Sequence, residues 1–244
     1  EKYLVYIPYD AVSSRKEGDY KNALDRMRQA GAVIGSVESA VFELLEKAGT
    51  DIVFMPSADE MYPAGFNSWV EVEKVTGRLE GASRPTHFRG VTTVVAKLFN
   101  IVQPTKAYFG QKDAQQVAVI RRMVTDLDFP IEVVVCPTVR EEDGLAKSSR
   151  NTYLDEAQRK AATVLYRSLN AAVDGFAAGV RNAQKLREIM LAVLSEEPLA
   201  NVQYVSVADP DTLSELSGEI SQALISMAVY IGEARLIDNM LVGV

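Results

Sequence analysis

Short apolar segments alternate with longer amphipathic segments at the start of this chain, and this alternation constrains the fold more than any other feature. Apolar runs of strand length occupy 3–9, 32–36 and 51–56, and residues at helical spacing fill 17–31 and 36–49 between them. The order β-α-β-α-β favours a parallel sheet with right-handed crossovers, because the strands then return to one sheet in the same direction. We therefore predict an α/β domain built on a parallel sheet.

The alternation continues after a loop that Pro63 and Gly65 interrupt. A segment that is apolar on almost every side, 91–102, predicts a buried helix that follows His87. Three further elements are predicted, a strand at 106–110, a helix at 113–127 and a strand at 131–137. Together they predict a Rossmann-like α/β domain that spans residues 1–140.

The pattern changes after the loop at 141–151. Helical periodicity dominates from 155 to 195, and strand-like runs follow at 201–209 and 226–242. This order predicts a smaller α+β domain over 152–244, joined to the first domain by that loop.

The composition excludes several classes of function. The net charge of −7 disfavours a general nucleic-acid binder, which needs a basic surface. No apolar run approaches the roughly 18 residues that span a bilayer, so we expect no membrane partner. The single cysteine, Cys136, cannot form an internal disulfide and suits a reducing cytoplasm. No cluster of histidine and cysteine marks a metal site.

The stretch AYFGQKDAQQ, at 107–116, is the first candidate site. Gly110 ends a predicted strand and lets a ligand approach the backbone, while Lys112 and Asp113 stand where the next helix begins. A lysine there suits a phosphate, an aspartate suits ribose hydroxyls, and Gln116 lies one turn further on. The alternative is a solvated helix start with Asp113 as its N-cap.

The stretch GLAKSSRN, at 144–151, is the second candidate. Lys147, Ser148, Ser149 and Arg150 place two cations and two hydroxyls side by side in the predicted interdomain loop, and these groups are good partners for phosphate oxygens. The alternative is a polar linker in which Ser148 or Ser149 caps a helix.

His87 is the only histidine in the chain. It lies in RPTHFRG, at the entrance to the predicted buried helix, and both packing and contact with a substrate are open for it. Cys136 ends an apolar strand with no histidine beside it in sequence, which is typical of a core thiol.

Four long stretches resemble the pantoate–β-alanine ligase family, also called the pantothenate synthetases. They are GTDIVFMPSADEMYPAGF, LEGASRPTHFRGVTTVVAKLFNIVQP, AYFGQKDAQQ and PTVREEDGLAKSSRNTYL, and the resemblance runs from about Leu44 to the C-terminus. It implies a nucleotidyltransferase-like parallel-sheet domain with a small C-terminal domain. It also implies an activity: ATP activates the carboxylate of pantoate as an acyl adenylate, Mg²⁺ assists, and the amine of β-alanine then displaces AMP.

The resemblance implies a role for each candidate residue. Gly110 and Asp113 would contact the ribose of ATP, Lys112 its phosphates, and Gln116 pantoate. The outer phosphates would be bound by Ser148, Ser149 and Arg150, beside Lys147. Lys112 and this serine–serine–arginine run would be the catalytic groups, and His87 would contact substrate. No protein-built metal site is expected, and a homodimer is typical of the family.

Three family features are missing from this sequence, namely the H-x-G-H motif, an NPxQF-like loop that helps bind pantoate and ATP, and an acidic segment that helps hold magnesium. The family carries an H-x-G-H motif after its first strand, whereas residues 7–49 here resemble the last strand-helix-strand-helix portion of isochorismatase-like cysteine hydrolases without their nucleophilic cysteine. We therefore interpret residues 1–49 as a grafted segment in a chimera and expect ligase turnover to be impaired. The alternatives are a catalytically inactive scaffold that retains ATP binding and, less favoured, an isochorismatase-like hydrolase.

Overall fold

Two sheets organise the part of the chain that the structure, a computed structural model, describes, namely residues 49–243. The strands and helices expected before residue 49, and with them nearly all of the proposed graft, lie outside the described residues. The α-helices are α1 Ala58–Met61, α2 Leu79–Ser83, α3 His87–Val102, α4 Ala114–Asp126, α5 Glu156–Ala161, α6 Val164–Ala177 and α7 Ala183–Ser195. The strands are β1 Lys106–Gly110, β2 Glu132–Cys136, β3 Ala200–Ala208, β4 Ala223–Ile231 and β5 Ala234–Val242. Short 3₁₀ helices cover Val75–Gly77, Gln111–Asp113 and Ser149–Tyr153.

The first sheet is parallel, as the sequence predicts. β1 pairs with β2 from Lys106 opposite Glu132 to Gly110 opposite Cys136, and α4 connects the two strands. A parallel pair needs such a crossover because both strands run in the same direction. The predicted α/β class is confirmed in these residues.

Helix α3 is the buried helix predicted at 91–102, and it begins four residues earlier, at His87. Its apolar side chains form one core with β1 and α4, made of Phe88, Val91, Val95, Ala96, Phe99, Ala107, Phe109, Val117, Val119, Ile120 and Met123 with Val72 and Val75. Two hydroxyls on the same helix, those of Thr92 and Thr93, exchange hydrogen bonds with the backbone of Val70 at 2.6 and 3.0 Å. The preceding segment is thereby fixed to the helix.

The strand predicted at 51–56 is wrong. These residues are not assigned to a strand, and Ile52, Phe54 and Met55 are 68%, 48% and 54% exposed. A strand needs a hydrogen-bonded neighbour. Among the described residues, β1 and β2 pair only with each other, and this apolar run pairs with neither.

The second sheet is antiparallel, in the order β3-β4-β5, and makes up the predicted smaller C-terminal domain with α5, α6 and α7. The predicted run at 226–242 is two strands, because a turn at Gly232, with φ of +58°, folds it back into a hairpin. One face of the sheet packs on α6 and α7 through residues such as Ile225, Met227 and Val229. The other face meets α4, where Leu224 contacts the cluster of Ala118 and Leu213.

Candidate functional site

An open pocket lies where the segment after β1 faces the C-terminal sheet. Its walls come from residues between 79 and 88, from 112–116, from 148–150 and from strands β3, β4 and β5. The carboxyl end of a parallel strand, beside the start of a helix, is the usual ligand position in an open α/β sheet. The pocket therefore stands where the sequence predicts a site.

The pocket brings together seven of the nine predicted site residues. They are His87, Lys112, Asp113, Gln116, Ser148, Ser149 and Arg150. Gly110 ends β1 just before this wall and does not line the pocket itself. Lys147 lies outside it, with an exposed side chain whose Nζ is 3.5 Å from Glu141 Oε2. Two stretches that are more than 30 residues apart in sequence thus meet at one surface.

The turn that carries Lys112 is held by strand β5. The side-chain amide of Asn239 donates to the carbonyls of Gln111 and Lys112 at 3.0 and 2.8 Å, and the Gln111 amide donates back to Asn239 Oδ1 at 3.0 Å. Asp113 occupies the N-cap position of α4, yet its side chain accepts no capping hydrogen bond. The predicted N-cap position of Asp113 is therefore confirmed without a capping hydrogen bond, and its half-exposed carboxylate lies 4.0 Å from Lys112 Nζ.

Ser148 caps a helix and lines the pocket as well. Its hydroxyl accepts a hydrogen bond from the Arg150 backbone N–H at 3.2 Å, at the start of the 3₁₀ helix Ser149–Tyr153. The same loop is anchored by Arg140, which donates to Asp238 at 2.6 and 3.0 Å and to the Gly144 carbonyl at 3.0 Å. The capping alternative is thus confirmed for Ser148, and the binding of phosphate by this stretch stays a prediction.

His87 opens helix α3 and faces a cationic environment. Burial, followed by the charge of Arg84 and more weakly that of Arg150, lowers the pKa of His87 to about 4, although Glu80 acts in the opposite direction. The imidazole is therefore neutral at pH 7, whereas both guanidinium groups are charged. Arg84, Arg150 and Lys112 line the pocket together with the carboxylates of Glu80 and Asp113.

Sequence reasoning missed a network around Glu80, which lines the pocket near His87. The Arg235 guanidinium donates to both carboxylate oxygens of Glu80 at 2.5 and 2.7 Å, and the Tyr204 hydroxyl donates to the same carboxylate at 3.0 Å. Burial alone would raise the pKa of Glu80, but these partners lower it below its usual value. The proximity of Arg84 to His87 was visible in sequence, whereas no local signal connects Glu80 with Arg235, 155 positions away.

Other chemistries have less support in residues 49–243. Cys136 is partly buried at the end of β2 and does not line the pocket. Within that range, no three His, Cys, Asp or Glu side chains come close enough to hold a metal ion. Across the same residues, every helix is too short or too polar to cross a membrane.

Comparison with known proteins identifies relatives over most of the chain. A family model described as pantoate-beta-alanine ligase matches residues 38–241. The pantothenate synthetase of Herpetosiphon aurantiacus is 63% identical over 198 residues, which are 81% of this chain and 72% of that protein. That of Acidobacterium capsulatum is 58% identical over 200 residues, 82% of this chain and 67% of that protein.

Solved structures agree with this match. A crystal structure of pantothenate synthetase from Thermus thermophilus aligns with a TM-score of 0.80 at 47% identity, over 84% of this chain and 75% of that one. The ligase from Francisella tularensis, crystallised with a β,γ-ATP ligand and β-alanine, aligns with a TM-score of 0.66 at 31% identity, over 93% of this chain and 74% of that one. The predicted combination of a parallel-sheet domain with a smaller C-terminal domain is confirmed.

Proposed function

Because the chain belongs to the pantoate-beta-alanine ligase family, we propose that its pocket binds ATP and pantoate for the ATP-dependent condensation of pantoate with β-alanine. The observation that carries this proposal is the convergence of Lys112, Ser148, Ser149 and Arg150 on one pocket. Two cations and two hydroxyls at one surface are a set of groups suited to a polyphosphate.

The proposed chemistry has two steps. In the first, a carboxylate oxygen of pantoate attacks the α-phosphorus of ATP, the bond to the bridging oxygen breaks, and pyrophosphate leaves. In the second, the amine of β-alanine attacks the acyl carbon, loses a proton, and displaces AMP. Negative charge moves onto phosphate oxygens in the first step, so fixed cations at those oxygens favour it.

The phosphate-facing groups divide the work by chemistry. Lys112 supplies a point charge, and Arg150 supplies a guanidinium that binds two oxygens at once. Ser148 and Ser149 supply hydroxyl donors, and Lys147 would join them only if its exposed side chain left Glu141. Arg84, which lines the same wall, adds a third cation.

The remaining groups suit the rest of the substrates. Asp113 has a carboxylate available for ribose hydroxyls, and Gln116 has an amide for pantoate. The neutral His87 can donate a hydrogen bond to substrate, or accept one from it, without adding charge. A Cβ placed on Gly110 would meet no atom within 4 Å, so open space remains beside the backbone where the ribose would lie.

Mg²⁺ does not fit a site built by the described residues alone. Near the pocket, the carboxylates of Glu80 and Asp238 are engaged by arginines, which leaves Asp113. Mg²⁺ in phosphoryl-transfer sites is often held by one or two carboxylates and the substrate phosphates. We therefore propose that any Mg²⁺ enters with ATP, and no step is assigned to it.

We propose further that turnover is low. The sequence has no H-x-G-H motif, and His87, its single histidine, belongs to another segment. Loss of one preorganised donor to a developing anion commonly lowers the rate about 10²–10³-fold. The alternative to low turnover is a catalytically inactive protein that still binds ATP.

An isochorismatase-like origin of the N-terminal segment gains no support from the relatives named above. The family match begins at residue 38, so it overlaps the segment assigned to the graft at 38–49. The chimera remains a hypothesis about residues outside the described range, and hydrolysis is not proposed. Homodimer formation and a cytoplasmic location also stay predictions, the first testable by sedimentation.

The test is AMP release from Mg·ATP, measured with both pantoate and β-alanine, with each one alone, and with neither. An intact family member is the control. We expect AMP release that needs both substrates, at a rate at least about 10²-fold below the control. No release above background would reduce the function to binding, and a rate equal to the control would contradict the importance of the missing histidines.

A further inference from the structure

Strand β5 reaches all three segments that bring the predicted residues to the pocket. Arg235 binds Glu80 on α2, next to Arg84 and His87. The next two contacts come from neighbouring residues of the strand. Asp238 binds Arg140, at the start of the loop that holds 148–150. Asn239 binds the backbone of the turn that holds Lys112.

We propose that Arg235, Asp238 and Asn239 are positioning residues, which set the three walls of the pocket in register with one another. This inference rests on the proposed function in one respect, namely that the pocket is where substrates bind. The three side chains act through other residues, and none is assigned to the reacting atoms.

The Arg235 contact holds a segment that would not keep its shape unaided. Leu79 and Thr86 have φ of +46° and +67°, values that residues with a side chain rarely adopt, so surrounding contacts must maintain them. Arg235 and Glu80 are 16% and 12% exposed, and their two hydrogen bonds are of the strong charged kind. A bulge in β3 at Gln203 adds a second connection, since Gln203 accepts from Arg235 at 2.7 Å and donates to Ser83 at 3.1 Å.

The Asp238 contact is more deeply buried. The Asp238 side chain is 1% exposed and its partner Arg140 is 18% exposed, with the guanidinium 4.8 Å from the centre of the Tyr166 ring. Removing one partner of such a pair leaves an uncompensated buried charge. The loop from Arg140 to Arg150 is therefore held to the sheet at its first residue.

The Asn239 contact depends on the type of polar group. Its amide nitrogen donates to two carbonyls, and its oxygen accepts from the Gln111 amide. Aspartate has the same shape but cannot donate, so it would turn an oxygen towards two carbonyl oxygens. Asn239→Asp therefore changes the hydrogen bonding at the Lys112 turn with little change in volume.

The first experiment measures the pocket without any ligand. His87 is the only histidine in the chain, so its imidazole Hε1 proton gives a single resolvable NMR signal. In the wild type, the chemical shift of this proton should stay at the value of a neutral imidazole between pH 7.5 and 5.5. In Arg235→Met it should titrate within that range, because a loosened α2 segment lets water reach the ring and moves Arg84 away. Arg235→Lys should restore part of the wild-type behaviour.

The matched control is Arg187→Met. Arg187 also forms an ion pair in the C-terminal domain, with Glu215 at 2.6 Å, and it does not line the pocket. This control should leave the His87 titration as in the wild type. A His87 signal that is unchanged in Arg235→Met, or that moves equally in Arg187→Met, would overturn the assignment of Arg235.

The second experiment measures binding of Mg·ATP by calorimetry. Asn239→Asp should raise the Kd at least tenfold while the circular dichroism spectrum stays that of the wild type. If that variant does not fold, Asn239→Ser, which keeps one donor, takes its place with the same expectation. Wild-type affinity in a folded Asn239 variant would overturn the assignment of Asn239. If the wild type itself binds no ATP, the proposed function fails, whereas the His87 measurement still decides the positioning role.

Discussion

The neutral state of His87 follows from the residues around it, and it links the protonation of this ring to the stability of the fold. Burial and the neighbouring guanidinium groups lower its pKa to about 4, while an unfolded histidine titrates near 6.5. Between these two values, the unfolded chain binds a proton that the folded protein does not. The contribution of His87 to stability is therefore present above about pH 6.5 and is lost as the pH falls towards 4.

This linkage predicts the behaviour of His87→Gln. The difference in unfolding free energy between pH 7.0 and pH 5.0 should be smaller in the variant than in the wild type, because glutamine does not titrate. Urea unfolding at both pH values measures it, with Lys147→Gln, at an exposed position outside the pocket, as the control. An identical pH dependence in His87→Gln and the wild type would show that the folded His87 titrates normally.

Replacement by alanine should have different effects at two glycines near the pocket. Gly144 has φ of +90°, and a Cβ there would lie 1.9 Å from the Tyr166 ring, whereas Gly110 has φ of −78° and open space around the same position. Gly144→Ala should lower stability by on the order of 2 kcal/mol or more, through backbone strain and the clash. Gly110→Ala should leave the melting temperature within a few degrees of the wild type and weaken ATP binding. Thermal unfolding of both variants checks the contrast, which would be wrong if Gly110→Ala were the more destabilised.

At the scale of elements, helix α4 holds the irregular segment before α3 in place. Gln115 is 6% exposed, accepts from the Glu80 N–H at 2.9 Å, and donates to the carbonyls of Val75 and Arg78 at 2.7 and 2.8 Å. Its neighbour Gln116 also lines the pocket and is less buried. We therefore expect different roles for these adjacent glutamines, packing for Gln115 and contact with substrate for Gln116.

The two glutamines form a matched pair of variants. Gln115→Leu should lower the free energy of unfolding by about 1–3 kcal/mol, because it leaves buried backbone groups unsatisfied. Gln116→Leu should change stability by less than about 0.5 kcal/mol, as substitutions away from buried features do. Equal losses in urea unfolding would contradict this division.

Several elements were predictable because their sequence pattern is local. Strand β1 at 106–110 matches its prediction residue for residue, and α4 differs from its prediction by one residue at each end. The apolar run at 51–56 shows the limit, since a strand depends on a partner that composition does not reveal. Leu79 is a second example, because its left-handed backbone is maintained by contacts that are distant in sequence.

At the scale of the whole molecule, the C-terminal sheet has two roles. One face completes its own core with α6 and α7, and the other face closes the pocket against the parallel-sheet domain. The lysine and the serine–serine–arginine run were identifiable from their residue types and from the family resemblance. The contacts of Arg235, Asp238 and Asn239 were not, because they join residues 98 to 155 positions apart.

We propose that this pocket binds the phosphates of ATP, and calorimetry of Mg·ATP binding to the wild type and to Lys112→Met tests this claim most directly. Methionine keeps most of the length of the lysine side chain and removes its charge. We predict measurable binding by the wild type and a Kd at least tenfold higher in Lys112→Met, with the fold unchanged by circular dichroism. No binding by the wild type, or equal affinity in the two proteins, would contradict the claim.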